Sequence, residues 1–168
     1  MMITKIAAGV AACLVSCSAF AVQKDITVTA NVDTEVEMMH ADGSALPSTV
    51  TLDYRPGQGL QKHVMPTKIY TNDVTSDMQI RLVSAPELIE STGPTAIRVP
   101  LTVTYMGKTL SATPETILAA DAFPSGDASS GSEKIDLEIA PTNPGVLTKN
   151  GRYNGLVSLA LVHSTAKP

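Results

Sequence analysis

Alternation of apolar and polar residues with a period of two dominates the chain from residue 25 onward. From Asp25 to Asp33 every second residue is apolar, and the residues between them are polar. Successive side chains of a β-strand point to opposite faces, so this segment is predicted to be a strand with one dry and one wet face. The dry face would consist of Ile26, Val28, Ala30 and Val32.

Further short apolar runs follow, and turn signals separate them. We predict strands at 36–40, 50–54, 65–70, 78–82, 97–105, 135–139 and 153–161. Pro100 lacks a donor for a ladder hydrogen bond, so its strand is predicted to lie at a sheet edge or to carry a bulge. One helical turn is predicted within 116–123, and a loop rich in glycine and serine at 125–132. Many short strands separated by turns predict an all-β antiparallel sandwich or barrel.

The first 21 residues have the pattern of a secretory signal. Lys5 gives a positive start, an apolar stretch follows, and Ala19-Phe20-Ala21 has small residues at the cleavage positions. Cleavage between Ala21 and Val22 would leave residues 22–168, which is enough for one ordinary domain. The sequence before Cys17 also resembles a lipoprotein box, and a lipid anchor at that cysteine is the alternative.

Composition excludes several classes of function. Both cysteines, Cys13 and Cys17, fall within the predicted signal, so a mature chain would hold no disulfide, zinc–thiolate site or cysteine nucleophile. The formal net charge of −4 argues against a nucleic-acid partner. No apolar run after the signal approaches the roughly 20 residues that a membrane span requires.

Residues that could carry chemistry are isolated from one another. His40, His63 and His163 have no metal-ligand spacing, and no Gly-x-Ser-x-Gly or phosphate-loop motif occurs. Acidic pairs such as Glu35 with Glu37 are typical of the solvated face of a strand. We therefore expect no enzymatic activity, no metal and no cofactor. The alternating strand 25–33 either closes its own sheet, as in a secreted, self-complemented sandwich that binds a ligand, or enters another subunit.

Several segments resemble one known family. Residues 22–33 (VQKDITVTANVD) and 41–48 (ADGSALPS) are similar to the mature major pilins of the alternate, or α-type, chaperone–usher class, which includes colonisation factor antigen and cable pili. The similarity continues at 71–73 (TND) and, more weakly, at 151–159 (GRYNGLVSL). The resemblance implies an incomplete immunoglobulin-like antiparallel β-sandwich at 34–168, whose seventh strand comes in trans by donor-strand exchange.

The resemblance also implies a function and a set of partners. It implies a structural subunit of an adhesive pilus, exported through the periplasm to the cell surface for attachment to host surfaces. The implied partners are identical subunits, a periplasmic chaperone, an outer-membrane usher and a possible tip adhesin. The donor residues would be Ile26, Val28, Ala30 and Val32 of segment 22–33. The acceptor groove would be lined by Val36, Met38, Tyr153, Gly155, Val157, Leu159 and Leu161, with Gly155 leaving space where a bulky side chain would otherwise stand.

Overall fold

The computed structural model describes residues 36–90 and 96–164. The predicted signal peptide, its cleavage site between Ala21 and Val22, and the predicted donor strand 22–33 with its four dry-face residues lie outside the described residues. The division into signal, donor strand and body therefore stays a prediction.

The regular elements in the described part of the chain are all strands, apart from one helical turn. Short runs that end at glycine, proline, asparagine or aspartate produce many brief strands. In chain order the elements are β1 (Val36–His40), β2 (Tyr54–Arg55), β3 (Gly59–Leu60), β4 (His63–Thr71), β5 (Met78–Leu82), β6 (Glu87–Glu90), β7 (Ile97–Tyr105), β8 (Lys108–Thr109), β9 (Glu115–Ile117), α1 (Ala119–Ala122), β10 (Ile135–Pro141), β11 (Tyr153–Gly155) and β12 (Leu159–His163).

These strands form a larger and a smaller sheet that share one core. The larger sheet has the order β1-β4-β10-β7-β6-β11, with β8 attached to β7. The smaller sheet has the order β12-β5-β9, and β2 pairs with β3 in a separate hairpin. All pairings between these strands are antiparallel. The prediction of an all-β antiparallel sandwich is confirmed.

The core follows directly from the period-two pattern. Both sheets turn alternate apolar residues inward, and the most deeply buried of these include Ile69, Met78, Ile80, Val103 and Tyr105. Thr67 is also fully buried, and its hydroxyl donates to the carbonyl of Ile135 at 2.8 Å, which satisfies it inside the core. Burial raises the pKa of the Tyr105 phenol to about 12.

The structure corrects the predicted position of Pro100. β7 lies between β10 and β6 in the strand order; it pairs with β6 over residues 97–100 and with β10 over residues 101–105, so Pro100 lies where the pairing passes from one neighbour to the other. The Leu101 N–H donates towards β6, to the carbonyl of Pro86 at 2.9 Å, so the missing N–H of Pro100 faces the other side. There the Pro100 carbonyl accepts from the Thr142 N–H at 2.9 Å, just where β10 ends, so a single ladder bond is lost.

Two predicted strands also differ. The strand predicted at 50–54 is reduced to Tyr54–Arg55, and the residues before it run outside any sheet. The single strand predicted at 153–161 is divided into β11 and β12, which belong to different sheets. Between them Leu156 is 73% exposed. The chain crosses from one sheet to the other at this point.

Candidate functional site

The described structure has two open strand edges that lie next to each other. Among residues 36–90 and 96–164, β1 is the outermost strand of the larger sheet and pairs only with β4, whereas β12 is the outermost strand of the smaller sheet and pairs only with β5. The two strands are in contact, but no hydrogen-bonded ladder joins them in the described residues. An open edge presents unpaired N–H and C=O groups to any strand that approaches it.

The side chains between these edges are apolar and incompletely covered. Val36 and Met38 of β1, together with Val157, Leu159 and Leu161, are half-buried and pack against the core. On β12 the next residue, Val162, points outward and is 53% exposed. The structure thus places four of the seven predicted acceptor residues, Val36, Met38, Leu159 and Leu161, on the two strands of what we call the β1–β12 groove, and Val157 lies two residues before β12.

Tyr153 and Gly155 are not part of this groove. They lie on β11, which pairs with β6 at the opposite end of the larger sheet from β1. A Cβ atom on Gly155 would lie 2.0 Å from the carbonyl oxygen of Glu87. Gly155 is therefore required by the close approach of β6, and the expectation that it makes room in the acceptor groove does not fit its position.

A buried ion pair supports the chain before it reaches β12. Glu90 is fully buried and forms a salt bridge with Lys149, whose side chain is 32% exposed. The Tyr153 hydroxyl donates to the Lys149 carbonyl at 2.9 Å. Gly151 lies so close that an added Cβ would be 2.7 Å from the Glu90 carboxylate. The segment that leads to β12 is thus held against β6, beside a cleft of about 580 Å³.

At one end of the groove a polar group links the two sheets. His163, the last residue of β12, places its Nε2 2.8 Å from the Thr71 hydroxyl, and Thr71 is the strand partner of Val36. The Asp73 N–H donates to the same hydroxyl at 3.1 Å. Hydrogen bonds from Ser76 and Thr75 hold the pKa of Asp73 well below its usual range, so this turn is a fixed, ionised support.

On sequence alone His163 is an isolated histidine. Thr71 lies far away in the chain, and no local pattern connects the two residues. The one available signal is that both lie within two residues of the end of a predicted strand. Within residues 36–90 and 96–164 no group of three or more potential metal ligands occurs. No helix in that part of the chain is long and apolar enough to cross a membrane.

Comparison with known proteins gives a consistent result. The family model described as CS1 type fimbrial major subunit matches residues 22–162. A CFA/I fimbrial subunit of Escherichia coli is 35% identical over 151 residues, which cover 88% of each chain. A CS1 fimbrial subunit of Escherichia coli is 38% identical over 153 residues, again with 88% of each chain covered.

Solved structures agree with the fold. The CooA pilin from enterotoxigenic Escherichia coli superimposes with a TM-score of 0.68 at 33% identity, over 79% of this chain and 90% of that one. A chain of a chaperone–tip adhesin complex of CFA/I fimbriae biogenesis is 13% identical with a TM-score of 0.53, over 78% of this chain and 43% of that one, and supports the fold alone. Because the family model spans nearly all of the chain after residue 21, this protein belongs to the family of CS1-type fimbrial major subunits.

Proposed function

We propose that this chain is a structural subunit of a fimbria, exported to the cell surface, and that it polymerises by donor-strand exchange. Residues 22–33 of one copy would enter the β1–β12 groove of the next. The observation that carries the proposal is the pair of adjacent open edges with half-buried apolar side chains between them. The relatives are themselves named as fimbrial subunits, and this supports the same role here.

The energetics favour a durable joint. Each large dry-face residue of the donor strand, Ile26, Val28 and Val32, contributes up to about 1.5–3 kcal/mol when fully buried, and Ala30 contributes less. A strand between β1 and β12 also adds main-chain hydrogen bonds on both sides, each worth about 1 kcal/mol net. An inserted strand holds its neighbours about two strand spacings, roughly 10 Å, apart, so insertion widens the groove.

Partners follow from the need to cover the groove before assembly. Exposed edges and apolar side chains promote aggregation, so a periplasmic chaperone would occupy the groove first, and the outer-membrane usher would exchange it for the strand of the next subunit. One structural neighbour named above belongs to a chaperone–tip adhesin complex. We extend both kinds of partner in that complex, a chaperone and a tip adhesin, to this chain.

The test compares two neighbouring substitutions in the full-length chain, expressed with its chaperone and usher. Val28→Asp places a carboxylate on the dry face, where its burial costs several kcal/mol, so the variant should still bind chaperone but form few fibres. Thr27→Asp lies on the wet face and should assemble nearly as well as the unchanged chain. Fibre yield and the amount of chaperone-bound pilin are measured for both. Equal yields would refute donation by this strand and favour the self-complemented monomer.

A further inference from the structure

The imidazole of His163 has a buried atom that the described structure does not satisfy. Its Nε2 is hydrogen-bonded to the Thr71 hydroxyl, whereas its Nδ1 is buried and has no hydrogen-bond partner within the described residues. A buried polar atom without a partner costs about 1–3 kcal/mol. His163 shares its strand face with Leu159 and Leu161, so the ring lies at one end of the β1–β12 groove.

Chain direction shows which end of a donated strand reaches His163. Thr71 pairs with Val36, so β1 begins at the His163 end of the groove. Because residues 22–33 precede β1 in the chain, we expect the donor strand of each copy to depart from that end. If the incoming strand had its C-terminal end at the same place, both neighbouring copies would attach to one end of the body. An extended fibre therefore requires the N-terminal end of the incoming strand at His163.

At that N-terminal end the dry face of the donor strand continues into a polar residue. Lys24 is two residues before Ile26 and so lies on the same face. The groove shows the matching change along β12, because its inward residues are apolar up to Leu161 and polar at His163. We propose that His163 sets the register of the donated strand, because its Nδ1 accepts a hydrogen bond from the ammonium group of the neighbouring copy's Lys24. This inference rests on the proposed donation of residues 22–33.

The hydrogen-bonding groups are chemically matched. An ammonium group only donates, so Nδ1 must be the unprotonated nitrogen of a neutral ring, and Nε2–H then donates to Thr71. The Thr71 hydroxyl oxygen has two acceptor sites, and one of them already receives the Asp73 N–H at 3.1 Å. The second can accept from Nε2–H, since the two heavy atoms are 2.8 Å apart. The Thr71 hydroxyl therefore accommodates the tautomer that can receive Lys24.

Slipped registers are disfavoured in both directions. A shift of the donor strand by two residues that brings Ile26 opposite His163 leaves the Nδ1 of His163 buried without a hydrogen-bond partner. A shift in the other direction pushes the Lys24 ammonium towards Leu161, where it loses water without gaining an acceptor. The polar pair therefore selects one register among those that the uniform apolar face of the donor strand would otherwise allow.

A double-mutant cycle in assembled fibres tests the contact. His163→Gln keeps an amide donor near the position of Nε2 for Thr71 but has no acceptor at the position of Nδ1, and Lys24→Met keeps the length of the stem but removes the ammonium. Each single variant should make fibres dissociate in denaturant about tenfold faster, as expected for loss of a hydrogen bond to a charged group. The double variant should be no faster than either single variant, because both remove one contact.

Three results would overturn the proposal. These are additive effects of His163→Gln and Lys24→Met, an effect of His163→Gln alone, and unchanged dissociation in both variants. His163→Asn, which carries an amide oxygen near the position of Nδ1, should recover part of the dissociation time, and failure to do so also counts against the contact. Val28→Asp is measured in parallel. If Val28→Asp assembles normally, the proposed donation of residues 22–33 is wrong. If Val28→Asp blocks assembly but the effects of His163→Gln and Lys24→Met are additive, only the contact between His163 and Lys24 is refuted.

Discussion

Removal of Lys149 should destabilise the fold far more than removal of an equivalent surface lysine. The carboxylate of Glu90 is fully buried, and Lys149 is its salt-bridge partner. Lys62 makes the corresponding surface pair with Glu138 at 3.0 Å, with side chains 59% and 36% exposed. The substitution Lys→Ala can therefore be made in both pairs, and only the burial of the carboxylate differs greatly between them.

The expected magnitudes differ severalfold. Breaking a buried ion pair costs about 3–5 kcal/mol, because a charge remains in a medium of low polarity. Lys149 is itself about one-third exposed, which weakens its attraction to Glu90, so we expect about 3 kcal/mol for Lys149→Ala. A surface pair is worth about 0–1 kcal/mol, so Lys62→Ala should have little effect. For a chain of this size each kcal/mol lowers Tm by about 2–4 °C, which gives a decrease of about 6–12 °C for Lys149→Ala.

Scanning calorimetry of full-length fibres, together with the yield of chaperone-bound pilin, provides the measurement. Lys149→Ala should lower both quantities, because the segment held by the ion pair leads directly into β12 and the groove. Equal decreases in Tm for Lys149→Ala and Lys62→Ala would contradict this prediction. Such a result would show that water reaches the Glu90 carboxylate in solution.

Two further predictions concern single residues. Folding raises the pKa of Tyr105 from 10.0 to about 12. The neutral phenol therefore contributes about 2–3 kcal/mol to the free energy of unfolding, which is complete below pH 10 and is lost as the pH rises through 12. Ultraviolet titration should show one tyrosine ionising late, and identical curves for Tyr105→Phe would contradict this assignment. Gly155→Ala should destabilise the fold even though Gly155 is exposed, because its Cβ would lie 2.0 Å from the Glu87 carbonyl oxygen. Asn154→Ala is the control in denaturant unfolding and should change the free energy by less than about 0.5 kcal/mol; equal losses would mean that β6 shifts to make room.

The strands best predicted from the sequence are those that bury one whole face. β4, β5, β7 and β10 each place alternate residues in the core, so the apolar pattern and the structure share the same cause. β6 was missed because its two apolar residues stand side by side between glutamates, and one of these, Glu90, is buried by an ion pair rather than by hydrophobicity. Alternation contains no information about such pairs.

The candidate site was predicted in part for the same reason. Alternation identified Leu159 and Leu161 as inward residues, but it cannot say which sheet a strand joins. Tyr153 and Gly155 continue the same pattern, yet they pair with β6 in the other sheet. Leu156, at the crossing, is an exposed apolar residue at an outward position of the pattern, but so is Val162 within β12, so the pattern itself does not mark the crossing. The link between Thr71 and His163 depends on packing between sheets, which no local pattern reports.

The placement of β1 and β12 in different sheets has a mechanical consequence. A strand hydrogen-bonded to both edges would tie the two sheets together, so tension on a fibre would be divided between them. With its two ends at opposite ends of the groove, that strand would be pulled along its own axis. Ladder hydrogen bonds lie perpendicular to the strands, so they would be loaded in shear and all at once, instead of being peeled open one by one. A fibre joined in this way would resist stretching far better than the free energy of association between its copies alone suggests.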